Sequence, residues 1–301
     1  MSVDAPLTPG SRSIAGREVG ALAFGCWRLT DSDTGRCAEL AETAVDLGMN
    51  LVDNADVYGL DWGGRGFGTC EETLGEVLRS RPGLRDRIVL ATKGGIVPGV
   101  PYVSSRAYLI EACEASLRRL GVDVIDLYQI HRPDPFTHPA EVADALMSLI
   151  TRGVVKAVGV SNHTVAQTRA LQAHLPVRLA TTQPELSALT LDSLRDGTLD
   201  LCTETGMVPL AWSPLAGGRV ATGDGVRPEL INSLDAIASA HGVSRAATAV
   251  AFVLAHPSAP VAIVGSQNVQ HLADLVAATS VKLTRAEVYR VIEASDGRPL
   301  P

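Results

Sequence analysis

Residues 50–59 (NLVDNADVYG), 88–95 (IVLATKGG) and 124–131 (VIDLYQIH) decide the fold. Each is a short apolar run that leads into a proton-handling side chain: Asp53 and then Tyr58, Lys93, and His131. Runs of this length, rich in Val, Ile and Leu and bounded by polar residues or glycine, read as buried strands. The same kind of run recurs at 21–27 (ALAFGCW), 157–161 (AVGVS), 180–185 (ATTQPE), 208–212 (VPLAW) and 261–265 (VAIVG), which predicts eight strands in all. Helical patterns lie between them, for example at 37–47, 69–79, 106–120, 140–152 and 165–175. In 106–120, Leu109, Cys113, Leu117 and Leu120 recur at helical spacing, with Ser104 or Ser105 as the cap and Gly121 as the stop.

Strands alternating with helices imply βαβ units and a parallel sheet. Eight such units in roughly 250 residues match a closed (β/α)8 TIM barrel, whose strand C-termini converge on one active face. The rival is an open, doubly wound sheet. It calls for a glycine-rich phosphate turn after the first strand, and GCWRLTDSD from Gly25 has none. One domain over 1–301 is expected, with 1–15 as a loose tail rich in Pro, Gly and Ser. Two long irregular stretches, 59–69 (GLDWGGRGFGT) and 214–229 (PLAGGRVATGDGVRPE), follow strand ends and are expected to be active-site loops.

The composition excludes several classes. A net charge of −7 and no Lys/Arg-rich block leave no footprint for nucleic acid or an acidic membrane surface. No apolar stretch reaches the ~18 residues of a membrane span. The five cysteines, Cys26, Cys37, Cys70, Cys113 and Cys202, form no CxxC pair, so neither a zinc ribbon nor a redox dithiol is suggested. Reduced thiols in a cytoplasmic protein are the expectation. The first residues, MSVDAPLTPGSRS, lack the apolar region of a secretory signal. The histidines have no HxxxH or HxH spacing, so no metal is expected. No heptad or long apolar edge specifies an oligomer.

A tyrosine hydroxyl titrates near ~10 when unperturbed, so it is a poor acid at neutral pH. A neighbouring ammonium favours the phenolate, and lowering the pKa by about two units takes ~2.7 kcal/mol. Lys93 is placed to do this to Tyr58. A buried lysine keeps its proton only with a carboxylate partner, and Asp53 is available. His131 can position a substrate oxygen. Each residue alone has a plainer reading: a turn residue, a half-buried aromatic, a solvated strand end, a strand-terminating hydrogen bonder. Together, at three successive strand ends, they make a proton donor for a developing alkoxide.

These motifs and their order resemble the aldo-keto reductase family, in particular its compact bacterial members. The resemblance runs through nearly the whole chain: GCWRL, NADVYG, ATKGG, LYQIHRPDP, GVSNHT, TTQPELS, AWSPLAGGR and AIVGSQNVQHL. It implies NAD(P)H-dependent reduction of a small-molecule carbonyl by hydride transfer, with Asp53, Tyr58, Lys93 and His131 as catalytic tetrad and Tyr58 as general acid. It further implies Ser161, Asn162 and Gln183 on the nicotinamide carboxamide, with Trp212 stacked on its ring. Ser213, Leu215, Gly217 and Gly218 then fall in the loop over the pyrophosphate, and a 2′-phosphate is left to Arg219 or His271.

Where many relatives carry Lys or Arg, this chain has Gly265, Gln267, Gln270 and His271, and Asp274 matches an acidic position that meets the adenine side. NADP(H) is the cofactor the family implies, and the weak clamp leaves NAD(H) open. Trp27, Arg28 and Trp62 are expected to wall the substrate pocket, with Phe67 as a further candidate, and they suit an apolar or aromatic carbonyl only loosely. Two other readings stand beside this one: a Schiff-base lyase using Lys93, and a cofactor-sensing, non-catalytic barrel subunit.

Overall fold

The computed structural model describes residues 12–301. Eight strands form a closed parallel barrel: β1 (Leu22–Gly25), β2 (Leu51–Asp53), β3 (Val89–Gly94), β4 (Ile125–Ile130), β5 (Val155–Ser161), β6 (Thr181–Gln183), β7 (Val208–Ala211) and β8 (Val261–Val264). β8 pairs with β1 and closes the ring. The expected (β/α)8 architecture is the one observed. The predicted runs at β1 and β6 overshoot, with Cys26, Trp27 and Pro184 beyond the strands, and past β7 Trp212 keeps an isolated parallel bridge to Glu185.

Side chains alternate across each strand, and here both faces are apolar. Leu51, Val89, Ala91, Leu127, Leu210 and Val261 fill the barrel interior. Val52, Leu90, Tyr128, Val158 and Val160 belong to the larger core between barrel and helices. Helices such as Thr34–Asp46, Arg106–Leu120 and Arg245–Leu254 cover that outer face. Arg106–Leu120 begins at Ser105, whose side chain accepts from the Tyr108 amide, and stops at Gly121 with φ 65°. Only glycine adopts that left-handed cap without strain.

Part of the expected tail is ordered. Residues 1–11 lie outside the described residues, but Ser13–Ile14 and Arg17–Glu18 pair as a small antiparallel hairpin. Ile14 is 1% exposed and joins the interior cluster, so the hairpin plugs the end of the barrel where the strands begin. Arg12 Nε donates to the Pro260 carbonyl (2.9 Å), and Asn50 Nδ2 donates to the Glu18 carbonyl (2.9 Å). The physical reason is exposure: without a plug, the bottom layer of the barrel would face water. Among the described residues, no single helix is long and apolar enough to cross a membrane. All five cysteines are free thiols and buried.

Ile14→Ala removes the plug's buried side chain and should cost about 2–4 kcal/mol of unfolding free energy. A urea midpoint unchanged from the parent protein would show that the hairpin contributes nothing to the barrel.

Candidate active site

Strand parity places the key groups. Leu51 points into the barrel, so Asp53 does too; Val89 and Ala91 point in, so Lys93 follows. The parallel register sets Asp53 opposite Ala91 and Lys93 opposite Gln129, so these side chains meet at the strand C-termini. Lys93 Nζ lies 2.8 Å from Asp53 Oδ2, 2.8 Å from the Asn54 carbonyl and 3.2 Å from Tyr58 Oη. Lys93 is 0% exposed and Asp53 2%. The rings of Tyr58 and His131 meet edge to face at 5.7 Å. The four residues singled out from the strand ends therefore form one cluster.

The charges are set by burial first. Burial pulls the Lys93 ammonium down, but Asp53 and Tyr58 outweigh it, and its pKa stands above the ordinary lysine value. Burial also raises the Tyr58 hydroxyl above its ordinary value of 10.0; Lys93 opposes this and Asp53 adds to it. Lys93 acts in the direction the sequence argument expected, but the net shift is upward, which corrects the expectation of a lowered Tyr58 pKa. Desolvation of the phenolate wins, and Tyr58 is held as a neutral phenol. Burial, then Lys93 and Arg132, push His131 well below the usual histidine range, so it is neutral at physiological pH.

A belt of amides surrounds this cluster. Gln183 Nε2 donates to Asp53 Oδ1 (3.0 Å), and Ser161 Oγ donates to the Gln183 carbonyl (3.0 Å). Asn162 Nδ2 donates to Ser161 Oγ (2.8 Å) and to the His131 carbonyl (3.3 Å). Trp212 Nε1 donates to Asn162 Oδ1 (3.0 Å). Asn162 has thus used both amide hydrogens. What remains for a ligand is one Gln183 hydrogen, the Gln183 side-chain carbonyl and a lone pair of Asn162 Oδ1.

A cleft of about 820 Å³ opens above these groups. Asp53, Tyr58, His131, Ser161, Asn162, Gln183 and Trp212 line its floor. Ser213, Leu215, Gly217 and Gly218 form one wall, and Gly265, His271 and Asp274 lie at the far end. Gly217 and Gly218 have φ of 73° and 104°, which turns the chain tightly over the cleft. Trp27 and Arg28 line the cleft, and Arg28 Nη2 reaches across its mouth to the Gly217 carbonyl (3.4 Å).

Some expected site residues sit elsewhere. Lys93 lies beneath the floor. Arg219 folds back on its own turn, with Nε donating to the Ala216 carbonyl (3.2 Å), and does not line the cleft. Gln267 and Trp62 line a neighbouring groove that shares Arg28 with the cleft. Phe67 is not a pocket wall; its ring lies 5.7 Å from the Arg119 guanidinium. The structure also adds Asp61, Ile96, Arg132 and Thr222 to the lining. Asp61 and Arg132 directly adjoin residues already singled out, but side-chain direction in a loop has no periodic signal to read.

Comparison with known proteins gives a consistent result. The aldo/keto reductase family model matches residues 21–296. A 6-dehydroglucose reductase of Novosphingobium aromaticivorans is 46% identical, over 99% of both chains. A 6-dehydroglucose reductase of Agrobacterium fabrum is 36% identical, over 90% of this chain and 94% of the other. The crystal structure of an aldo/keto reductase from Klebsiella pneumoniae, in complex with NADP and acetate, superposes with a TM-score of 0.80 at 26% identity, covering 98% of each chain.

The buried Lys93–Asp53 pair makes a stability prediction. Lys93→Met leaves the carboxylate uncompensated and should cost about 3–5 kcal/mol. Adding Asp53→Asn should recover part of that loss. Strictly additive losses in urea melts would show that the two groups are not coupled.

Proposed function

The chain belongs to the aldo/keto reductase family, and from that premise we propose that it reduces an aldehyde or ketone to an alcohol, with Tyr58 as the acid and NADP(H) as the hydride source. The observation that carries the reading is the Lys93 Nζ–Tyr58 Oη contact of 3.2 Å, at the foot of the cleft. Tyr58 is a neutral phenol with a proton to give. As it gives that proton to the carbonyl oxygen, the forming phenolate meets an ammonium already in place, 4.9 Å from the ring centroid. Asp53 keeps that ammonium charged through the cycle. Neutral His131 donates an N–H to the same oxygen and aligns the carbonyl.

When bound, the cofactor supplies a hydride to the carbonyl carbon. Gln183 and Asn162 offer the donor and acceptor that a carboxamide needs, and Trp212 offers a ring face. Arg28 Nε and Gln267 Nε2 are buried donors without partners among the described residues, a chemistry that suits phosphate oxygens. The NADP in the Klebsiella relative supports the same choice of cofactor. On the adenosine side, His271 pairs with Ser266 Oγ (3.5 Å) and stands where a Lys or Arg clamp would be expected, so NAD(H) is the competing cofactor.

For the substrate, the relatives named 6-dehydroglucose reductase support a sugar aldehyde, in place of the apolar or aromatic carbonyl that Trp27 and Trp62 alone suggest. The five buried thiols support a cytoplasmic protein. The Schiff-base reading weakens here. A nucleophilic lysine must lose its proton, and Lys93 is buried against Asp53 with its pKa raised.

Tyr58→Phe should lower kcat for carbonyl reduction by about 10²–10⁴-fold and leave NADPH affinity within about twofold of the parent. Because the Tyr58 pKa stands above 10.0, the parent kcat/KM should stay flat from about pH 7 to 9 and fall only at higher pH. Full activity in the variant, measured by loss of NADPH absorbance, removes Tyr58 from the mechanism.

His271→Arg should raise NADPH affinity relative to NADH by about tenfold. An unchanged ratio in fluorescence titration would mean that His271 does not face the 2′-phosphate.

A further inference from the structure

The loop 59–69 follows Tyr58 and carries a carboxylate with one oxygen unused. Asp61 lines the cleft. Its Oδ1 accepts from Trp27 Nε1 (3.3 Å), while Oδ2 makes no hydrogen bond or ion pair among the described residues. The nearby cation is engaged elsewhere. The Arg28 guanidinium lies 4.5 Å from the Trp62 ring centroid and 5.5 Å from that of Trp27, and its Nη2 reaches the Gly217 carbonyl. The two tryptophan rings lie 5.1 Å apart and are tilted by 44°. Thr30 Oγ1 donates to the Trp62 carbonyl (3.2 Å), which ties this loop to the one after β1. The result is an exposed carboxylate beside the Trp27–Trp62 pair, lining the same cleft as Tyr58 and Trp27.

We propose that Asp61 selects hydroxylated aldehydes: Oδ2 accepts hydrogen bonds from substrate hydroxyl groups while the Trp27 ring packs against the C–H face. The inference rests on the reductase reading above. A carboxylate only accepts, and it has lone pairs to spare for more than one hydroxyl. Hydroxyl-to-carboxylate bonds are short and about twice as strong as neutral ones. An apolar aldehyde of the same size displaces part of the water on this exposed carboxylate and returns no donor, so it gains nothing from Asp61. An anionic keto acid finds no donor in Asp61 and a like charge instead. A neutral polyol aldehyde is the class that meets both the ring and the carboxylate.

D-Glyceraldehyde and propanal test this, since they share a carbon skeleton and differ in hydroxyl groups. Asp61→Asn keeps an oxygen acceptor for Trp27 Nε1 and removes the charge. The ratio of kcat/KM for glyceraldehyde to that for propanal should fall about tenfold, chiefly through KM. Asp61→Ala should lower it further. A ratio equal to the parent's overturns the proposal, including the case where both substrates lose rate together, because Asp61 would then serve only to hold Trp27. Failure of the parent protein to reduce either aldehyde, with NADPH bound, overturns the reductase reading and the proposal with it.

Discussion

The contact on which the rest depends is the buried pair of Lys93 and Asp53. Two opposite charges, 0% and 2% exposed, sit at adjacent strand ends and are held at 2.8 Å. Neither charge is tolerable there alone, because taking an ion out of water costs several kcal/mol. The pair is therefore a constraint on the barrel. β2 and β3 must keep the register that sets Asp53 beside Ala91, or one charge is stranded. The Asn54 carbonyl and Gln183 Nε2 supply the remaining hydrogen bonds. Gln183 comes from β6, so the pair also draws in the far side of the barrel.

The same pair sets the charge state of Tyr58, the acid of the proposed reaction. Burial favours the neutral form of Tyr58, and Lys93 favours the charged form; at rest, burial prevails. That balance suits the role proposed for Tyr58: the proton would stay on the hydroxyl until a stronger acceptor developed nearby, and the ammonium would then need no reorganisation to meet the new charge. His131 fits the same logic. It is neutral, so it adds a hydrogen-bond donor without adding a second cation beside Lys93.

The cleft above this floor is built from loops, and the loops are latched to one another. Arg28, from the loop after β1, touches Trp62 from the loop after β2 and Gly217 from the loop after β7. The turn at Gly59 allows the loop after β2 to fold back: φ is 101°, and a Cβ there would lie 2.5 Å from Thr69 Cβ. Glu71, just beyond, is buried and tied to Arg119 Nε (2.7 Å), which anchors the start of the following helix. These contacts hold Trp27 at the cleft and Trp62 beside it, on loops anchored to the barrel.

Eight apolar runs, their spacing, and the order Asp53, Tyr58, Lys93, His131 were legible in the sequence alone. They were legible because strands have a period of two, and because strand ends in a parallel barrel converge whatever the loops do. The family followed from motifs strung along the whole chain. The hairpin at Ser13–Glu18 was not legible, since its strands of two residues each carry no pattern and form only because Ile14 finds the open barrel floor. The direction of the Tyr58 pKa was not legible either. Sequence placed a cation beside the hydroxyl, but desolvation depends on how completely the barrel and its loops enclose it. The same holds for Arg219 and Phe67, which turned away from the cleft, and for Asp61, which turned into it. Loop side chains are placed by contacts between segments far apart in the chain, and those contacts exist only once the barrel has closed.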